Sequence, residues 1–528
     1  MLSCTRRTVK RGFIVVFLLL FAVMTACSNG NSNKQSDSSG KSSGTPKSGG
    51  ILKMAYIEDA QTFDPIMPLE NGSIFKMLLI YDTLVKPTDN ADAYEPALAT
   101  DWEISPDAKT FVFNIRQGVK FHDGSPMTAV DVKFSIDRAR SPDGNWNWLY
   151  TSIESVEVTG EYQVTIKTSE PYVPMLANLA LFSAAIVPEK YVKEKGPEHL
   201  ANNPIGTGPF IFDSWERNSK VILKKNPDYW VEGKPYLDGV EMYNVIEDAT
   251  RMLKLRAGEL DLVEGVPYSE IASVKADSSL NMHVDQLAGL RLLRINTTKE
   301  PLNDVKIRQA INYAVDRDAI IQAALHGYGT KLASYLPRIM YYDNNLEPYN
   351  YDLEKAKQLM AESSRPEGFK TTISISAGDT YDVQTAALMK ESLMKIGIDA
   401  EILQLDGGVK GDRAANMEHD LDAIYVTSDV IDPDELTLYE VIPEGGTDSL
   451  RSGFNNERVK ELSNQARGEM DETKRAALYA EIQKIVKDEA PFIILYEFPN
   501  TYGSRSYVKD FKAMVTGNFR LENVWFDK

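Results

Sequence analysis

The stretch KTTISISAGDTYDVQTAALMKESLMKIGIDAEILQL, residues 370–405, decides the fold class. Its first seven residues are rich in β-branched side chains and predict a strand, and DAEILQL at residues 399–405 predicts a second strand. Between them, residues 383–396 predict a helix with Ala386, Leu393 and Ile396 on its inward face. A strand–helix–strand unit implies a right-handed crossover between parallel strands, which is the repeating unit of an α/β fold.

Strands and helices continue to alternate through the second half of the chain. LRLLRIN, residues 290–296, predicts a strand, and a helix over residues 304–325 follows it and ends at Gly327. That helix would bury one apolar face, formed by Ile307, Ile311, Ala314 and Ile321. The remaining elements are two strands, LDAIYV (421–426) and PFIILYEF (491–498), and two helices, at residues 457–468 and 472–489. We therefore expect a mostly parallel sheet covered by helices.

The first half of the chain has a different pattern. Residues 111–124, FVFNIRQGVKFHDG, and 155–168, SVEVTGEYQVTIKT, alternate apolar and polar side chains, which predicts antiparallel strands, the second pair forming a hairpin. DVKFSIDRA after the first segment predicts a short helix, with Thr128 or Asp131 as its N-cap. Because 528 residues are too many for one core, we expect two α/β lobes, the first carrying an antiparallel insert.

The N-terminus has the pattern of an export signal. Basic residues precede a short apolar run at residues 13–23, which is too short to span a bilayer, and small residues follow it. The sequence VMTAC, ending at Cys27, resembles the lipobox of bacterial lipoproteins, in which the cysteine is lipidated; an ordinary secretory signal is the alternative. Residues 28–50 contain no apolar side chain larger than proline and predict a flexible tether with a reach of about 25 Å.

Charge and motifs exclude several classes of function. A formal net charge of −18 argues against a nucleic-acid partner. The five histidines are scattered, and only two cysteines occur, so we expect neither a metal site nor a cofactor. A G-x-S-x-G match at residues 40–44 lies in the predicted tether, and GTGPF at 206–210 lacks the third glycine of a dinucleotide loop. The sequence therefore predicts no enzyme.

The acidic stretch TSDVIDPDEL, residues 427–436, follows the predicted strand LDAIYV. A metal site, a catalytic carboxylate pair, an anchor for a cationic solute and a plain turn are the four interpretations. For Asp432, Asp434 and Glu435 the Asp-Pro pattern favours a solvated turn. Asp429 is the first acid after the strand, and ligands of open α/β sheets bind beyond the carboxyl ends of strands.

Four segments of this chain resemble the bacterial extracellular solute-binding proteins of the oligopeptide/dipeptide/nickel class, which feed ABC importers. The segments lie at residues 113–139, 205–230, 252–267 and 305–321. The resemblance implies a two-lobe clamp, like that of periplasmic binding proteins, with an extra subdomain containing antiparallel strands in lobe one. The boundaries that follow are 1–26 signal peptide, 27–50 lipidated tether, 51–98 and 205–288 lobe one, 99–204 its extra subdomain, 289–495 lobe two, and 496–528 the return to lobe one.

The resemblance also implies a set of ligand-binding residues. Asp429 matches the aspartate that pairs with the α-ammonium group of a peptide in peptide-binding relatives. Asn71 lies in the loop PLENGS, where relatives carry polar residues, and Tyr425 and Ser428 lie where a Gly-Trp pair is common. The loop at residues 376–382 lacks the arginine that binds the ligand carboxylate in dipeptide-binding relatives. This departure favours longer peptides or another amine-bearing solute.

These observations predict a monomeric receptor, anchored by lipid to the extracytoplasmic face of the cell membrane. It would capture peptides, most simply oligopeptides, and deliver them to the permease and ATPase subunits of an ABC importer. A nickel or metal-chelate binder of the same fold is the first alternative. An exported hydrolase is a remote second, because no nucleophile with a nearby base is evident.

Overall fold

The computed structural model describes residues 44–528 except residues 90, 340 and 444–450. The predicted signal peptide, Cys27 and the tether as far as residue 43 lie outside the described residues. Within the described ranges, no helix combines the length and apolar composition that crossing a bilayer requires.

Residues 44–50, predicted as the end of the tether, contact the globular part of the chain. Lys47 Nζ lies 2.8 Å from Asp527 Oδ1, and the Gly49 amide donates to the Tyr236 carbonyl at 2.8 Å. The Gly50 amide donates to Asp238 Oδ2 at 2.8 Å. These contacts are made by polar groups and need no apolar side chain. A prediction from composition alone therefore places the end of the tether too far along the chain.

A seven-stranded mixed sheet forms the centre of the first lobe. Its order is Leu280–Asp285, Asn500–Arg505, Leu262–Glu264, Ile51–Tyr56, Gly239–Asn244, Lys220–Lys225 and Phe210–Glu216. Ile51–Tyr56 runs parallel to both of its neighbours, and the other pairings are antiparallel. Segments far apart in sequence meet in this sheet; the lobe boundaries given above stay predictions.

The predicted antiparallel insert is a four-stranded sheet. Its order is Ala99–Ile104, Thr110–Ile115, Gln163–Thr168 and Ile153–Gly160, with every pairing antiparallel. The helix Ala129–Ala139 lies in the chain between Thr110–Ile115 and Ile153–Gly160, and both predicted caps act together. Thr128 Oγ1 accepts from the Val130 amide at 3.3 Å, and Asp131 Oδ2 accepts from the Thr128 amide at 2.9 Å.

The second lobe has a five-stranded sheet in the order Ile398–Leu405, Phe369–Ser376, Leu421–Thr427, Gly289–Ile295 and Phe492–Glu497. The first three strands are parallel, but the last two pair antiparallel with their neighbours. Of these five strands, Gly289–Ile295 alone runs against the others, so four point the same way and the expectation of a mostly parallel sheet is confirmed for strand direction. Side-chain periodicity did not reveal the reversed strand, because it identifies a strand without giving its direction. Helices cover both faces of this sheet and bury two apolar clusters.

The helix predicted over residues 304–325 is two helices, Val305–Ala314 and Arg317–Leu325. Val315 follows the end of the first helix, and Asp316 begins the second, since its carboxylate accepts from the Ala319 amide at 3.0 Å as an N-cap. The apolar face is nevertheless buried as predicted. The second helix ends at two residues with positive φ: His326, in the left-handed conformation at φ 49°, and Gly327 at φ 84°.

The remaining helices are short in the first lobe and longer in the second. They are Asn71–Met77, Met175–Leu179, Glu189–Lys195, Pro197–Asn202, Asp248–Ala257, Ile271–Ala276, Leu353–Ala361, Thr380–Met394, Gly407–Ala415, Asp434–Glu440, Glu457–Gly468 and Glu472–Glu489. Two linkers, residues 286–288 and 498–499, connect the seven-stranded sheet to the five-stranded sheet. The space beside these linkers is where a solute between the lobes would lie.

Candidate ligand-binding cleft

A cleft of about 490 Å³ lies where strands of both large sheets end. The seven-stranded sheet contributes Ile57 and Glu264, at the carboxyl ends of two neighbouring parallel strands. The five-stranded sheet contributes Tyr425 and the loop 378–381, and the linker region contributes residues 498–501. The cleft therefore occupies the position at which open α/β sheets bind their ligands.

Two of the predicted site residues face each other across this cleft. Asn71 begins the helix Asn71–Met77, and its Nδ2 donates a hydrogen bond to Tyr425 Oη at 3.1 Å. The Tyr425 side chain is half exposed, which is unusual for a large ring in the middle of a sheet. Both side chains can turn toward a solute, since each has further hydrogen-bonding capacity.

Ser428 is fully buried in the turn that follows the strand Leu421–Thr427. Its hydroxyl is 2.6 Å from the Val430 carbonyl and 3.0 Å from Glu435 Oε2. The hydroxyl could donate to a solute only by giving up these two acceptors, although its oxygen can still accept a hydrogen bond.

Asp429 lies beside a smaller cavity of about 90 Å³, not in the wall of the large cleft. Val430 and Ile431 of the same turn also line it, and residues of the first lobe, including Tyr81 and Thr516, lie opposite them. Burial raises the pKa of Asp429 above its usual value, and burial together with the Asp429 charge raises that of Glu435. No cation of the described residues pairs with Asp429, so a carboxyl group is desolvated there without a partner. The cavity has room for a charged head group with water, and a whole peptide would need more space.

The neighbouring acids are buried, and the expectation of a solvated turn is wrong for all three. Asp432 accepts two hydrogen bonds from Arg475, at 2.6 and 2.9 Å. Asp434 accepts from Arg467 Nε at 2.9 Å, and Glu435 accepts from the backbone amides of Asp429 and Val430. The two arginines lie in later helices, so the local sequence around the acids does not predict these ion pairs. Within the described residues, no group of three or more potential metal ligands occurs.

Sequence reasoning missed the cation at the other end of the cleft. The loop 376–382 has no basic residue, but Arg291 reaches it from the strand Gly289–Ile295, two strands away in the sheet. Arg291 Nη2 lies 2.9 Å from Asp379 Oδ2, and Nη1 binds the Asp382 carboxylate. One guanidinium therefore serves two carboxylates. The available signal was a pair of arginines, Arg291 and Arg294, among the apolar residues of the predicted strand LRLLRIN.

A second missed group lies at the ends of the parallel strands in the first lobe. Lys76 is buried, and its Nζ donates to the carbonyls of Glu58 and Gly72 at 2.8 and 2.7 Å. Burial lowers the pKa of Lys76 to about 8 in spite of the acids around it. Glu264 is only 8% exposed, and burial raises its pKa to about 7. Glu264 lines the cleft, and the charge of Lys76 acts on it from behind the cleft wall.

The chain is similar to known proteins over most of its length. A family model described as bacterial extracellular solute-binding proteins, family 5 (middle) matches residues 93–442. The dipeptide-binding protein of Escherichia coli (strain K12) is 31% identical over 479 residues, covering 84% of this chain and 88% of that protein. Heme-binding protein A of Haemophilus influenzae is 31% identical over 460 residues, covering 82% and 84%.

The structural comparison agrees with the sequence comparison. The ABC transporter-associated periplasmic binding protein DppA of Helicobacter pylori, in complex with the peptide STSA, superposes with a TM-score of 0.83. It is 31% identical, and the match covers 91% of this chain and 99% of that one. The two-lobe α/β fold and the shared sequence lead to one assignment: this chain belongs to the bacterial extracellular solute-binding proteins of family 5, which serve ABC transporters.

Proposed function

We propose that this protein is a lipid-anchored receptor on the extracytoplasmic face of the cell membrane. It captures oligopeptides and delivers them to the permease and ATPase subunits of an ABC importer. The observation that carries the peptide assignment is the partly buried Asp429 carboxyl group, which has no cationic partner among the described residues. The α-ammonium group of an unmodified peptide supplies the missing charge.

The relatives support a peptide, but they do not share one ligand. One relative is named for dipeptides, another for heme, and a third was solved with the peptide STSA. Membership of the family therefore does not identify the solute, and the residues of the cleft must be used to infer it.

The cleft favours peptides that need not be held by their carboxyl end. Arg291 is the cation nearest to the loop 378–381, and two aspartates already neutralise it. A ligand carboxylate placed there would compete with both of them. An oligopeptide can instead be held by its ammonium group and by main-chain hydrogen bonds along its length.

The anchor can be tested separately from the cleft. Cys27→Ala should release the protein from the membrane fraction into the medium, because a lipid on Cys27 is the membrane attachment that we propose. The affinity for peptide should not change, since the chain between Cys27 and the globular part separates the two. Cell fractionation and titration of the released protein measure both effects. A variant that stays in the membrane fraction would show that another attachment exists.

Peptide binding should stabilise the folded protein. For a ligand that binds only the folded state, apparent stability rises by about 2.7 kcal/mol at a hundredfold excess over Kd. Thermal melting with unmodified alanine tetrapeptide is the measurement, and the N-acetylated tetrapeptide is its matched control. A rise in melting temperature with a nickel chelate, and none with any unmodified peptide, would point to the metal-chelate alternative.

A further inference from the structure

Glu264 is a buried carboxyl group in the wall of the large cleft. It ends the short strand Leu262–Glu264, which lies between Ile51–Tyr56 and Asn500–Arg505 in the seven-stranded sheet. The residue is 8% exposed, and its Oε2 accepts no hydrogen bond from any described residue. A buried carboxyl oxygen without a partner is costly, so a residue kept in this state suggests a ligand that completes it.

The basic side chains around Glu264 are occupied by other groups. Arg251 Nη2 binds Asp248 at 2.6 Å and the Gly265 carbonyl at 3.0 Å, and Arg251 Nε binds the carbonyl of Glu264, not its carboxylate. Lys76 is held by two backbone carbonyls. Neither cation forms an ion pair with Glu264, although both act on it through space.

Among the charged residues that line the cleft, Glu264 is the one without an oppositely charged partner in the same lining, as far as the structure describes it. Two of its basic residues, Arg251 and Arg291, are each paired with an aspartate of the same lining, Asp248 and Asp379. Glu264 is the remaining charged residue in that lining, as far as the described residues go. The cleft therefore presents an unbalanced negative group to its solute, and it presents no unbalanced positive group.

Glu264 and Asp429 line different cavities. A solute whose ammonium group lies at Asp429 still leaves Glu264 to be satisfied by another part of the same molecule. In a peptide, the groups of suitable charge are the side chains of lysine and arginine.

We propose that Glu264 is a specificity-determining residue that binds a basic side chain of the peptide. The inference rests on the proposed peptide function and names the preferred class of peptide, one that carries lysine or arginine within the cleft. An acidic side chain at the same place meets Glu264 as a like charge and is disfavoured.

The test compares peptides that differ in one side chain. Unmodified alanine pentapeptides carry lysine, norleucine or glutamate at one position, and every position is scanned by calorimetric titration. At the position that meets Glu264, the lysine peptide should bind about 10-fold to 100-fold more tightly than the norleucine peptide. Glu264→Gln should abolish this difference. Glu259→Gln should keep it, because Glu259 is exposed and pairs with Lys254 at the surface.

Equal affinity of wild-type protein for lysine and norleucine peptides at every position would overturn the inference while leaving the peptide function intact. A preference for lysine that persists unchanged in Glu264→Gln would likewise overturn the assignment to this residue. If no pentapeptide binds, the proposed function fails and the inference fails with it.

Discussion

Replacing Asp429 by asparagine is expected to weaken the binding of an unmodified oligopeptide by roughly two to three orders of magnitude. The reason is that the substitution leaves the ammonium group of the peptide desolvated without a countercharge. Breaking a desolvated charge pair costs about 3–5 kcal/mol, whereas a neutral amide recovers only a hydrogen bond. Calorimetric titration of the wild-type and variant proteins with the same peptide measures the change in Kd.

The folded state should tolerate this variant. Asp429 has no cationic partner among the described residues and lies close to the Glu435 carboxyl group, so removing its charge relieves a repulsion. The melting temperature without ligand should therefore be equal to or above that of the wild type. Asp399→Asn, on the exposed face of the edge strand Ile398–Leu405, is the matched control and should leave Kd unchanged. A loss of affinity below threefold for Asp429→Asn would assign the acid to the turn alone.

Replacing Arg475 by methionine is expected to destabilise the protein by about 3–5 kcal/mol. Arg475 is buried, and its guanidinium holds both oxygens of the Asp432 carboxylate as well as the Ala466 carbonyl at 2.8 Å. The substitution keeps much of the side-chain volume but leaves Asp432 charged and buried beside the turn that carries Asp429. Denaturant unfolding should show a lower midpoint for this variant.

Two comparisons separate this effect from a general loss of charge. The double variant Asp432→Asn with Arg475→Met should recover part of the lost stability, because no uncompensated charge remains. Lys484→Met breaks an exposed pair with Asp488 on the same helix and should change stability by less than about 1 kcal/mol. If Arg475→Met behaves like Lys484→Met, the buried pair does not stabilise this turn.

Side-chain periodicity was sufficient to locate most strands and helices. The stretch 370–405 contains the strand–helix–strand unit that it predicts. The helix is Thr380–Met394 and begins three residues before the predicted start at residue 383, because Asp379 caps it there. Strand direction was not accessible in this way. Gly289–Ile295 has the same composition whether it runs with or against its neighbours, and its antiparallel pairing depends on chain connections outside the strand.

The site was only partly predictable, because its electrostatics depend on partners distant in sequence. Asn71 and Tyr425 meet across the cleft, and the family resemblance had suggested both. Arg475 lies 43 residues from Asp432, and no local pattern pairs the two. Glu264 sits in the segment LVEGVP, where its type and position resemble those of any strand end. Glu264 stands out only in the structure, where the basic residues described in the cleft lining are paired with other acids.

The central claim is that a partly buried carboxylate, Asp429, holds the ammonium group of the solute. A double-mutant cycle measures this contact most directly, by calorimetric titration of wild-type and Asp429→Asn proteins with an unmodified oligopeptide and with its N-acetylated form. Acetylation should cost the wild type roughly two to three orders of magnitude in Kd and should cost the variant much less, because the two changes remove the same pair. Losses that simply add would contradict the claim, since they would place the ammonium group away from Asp429.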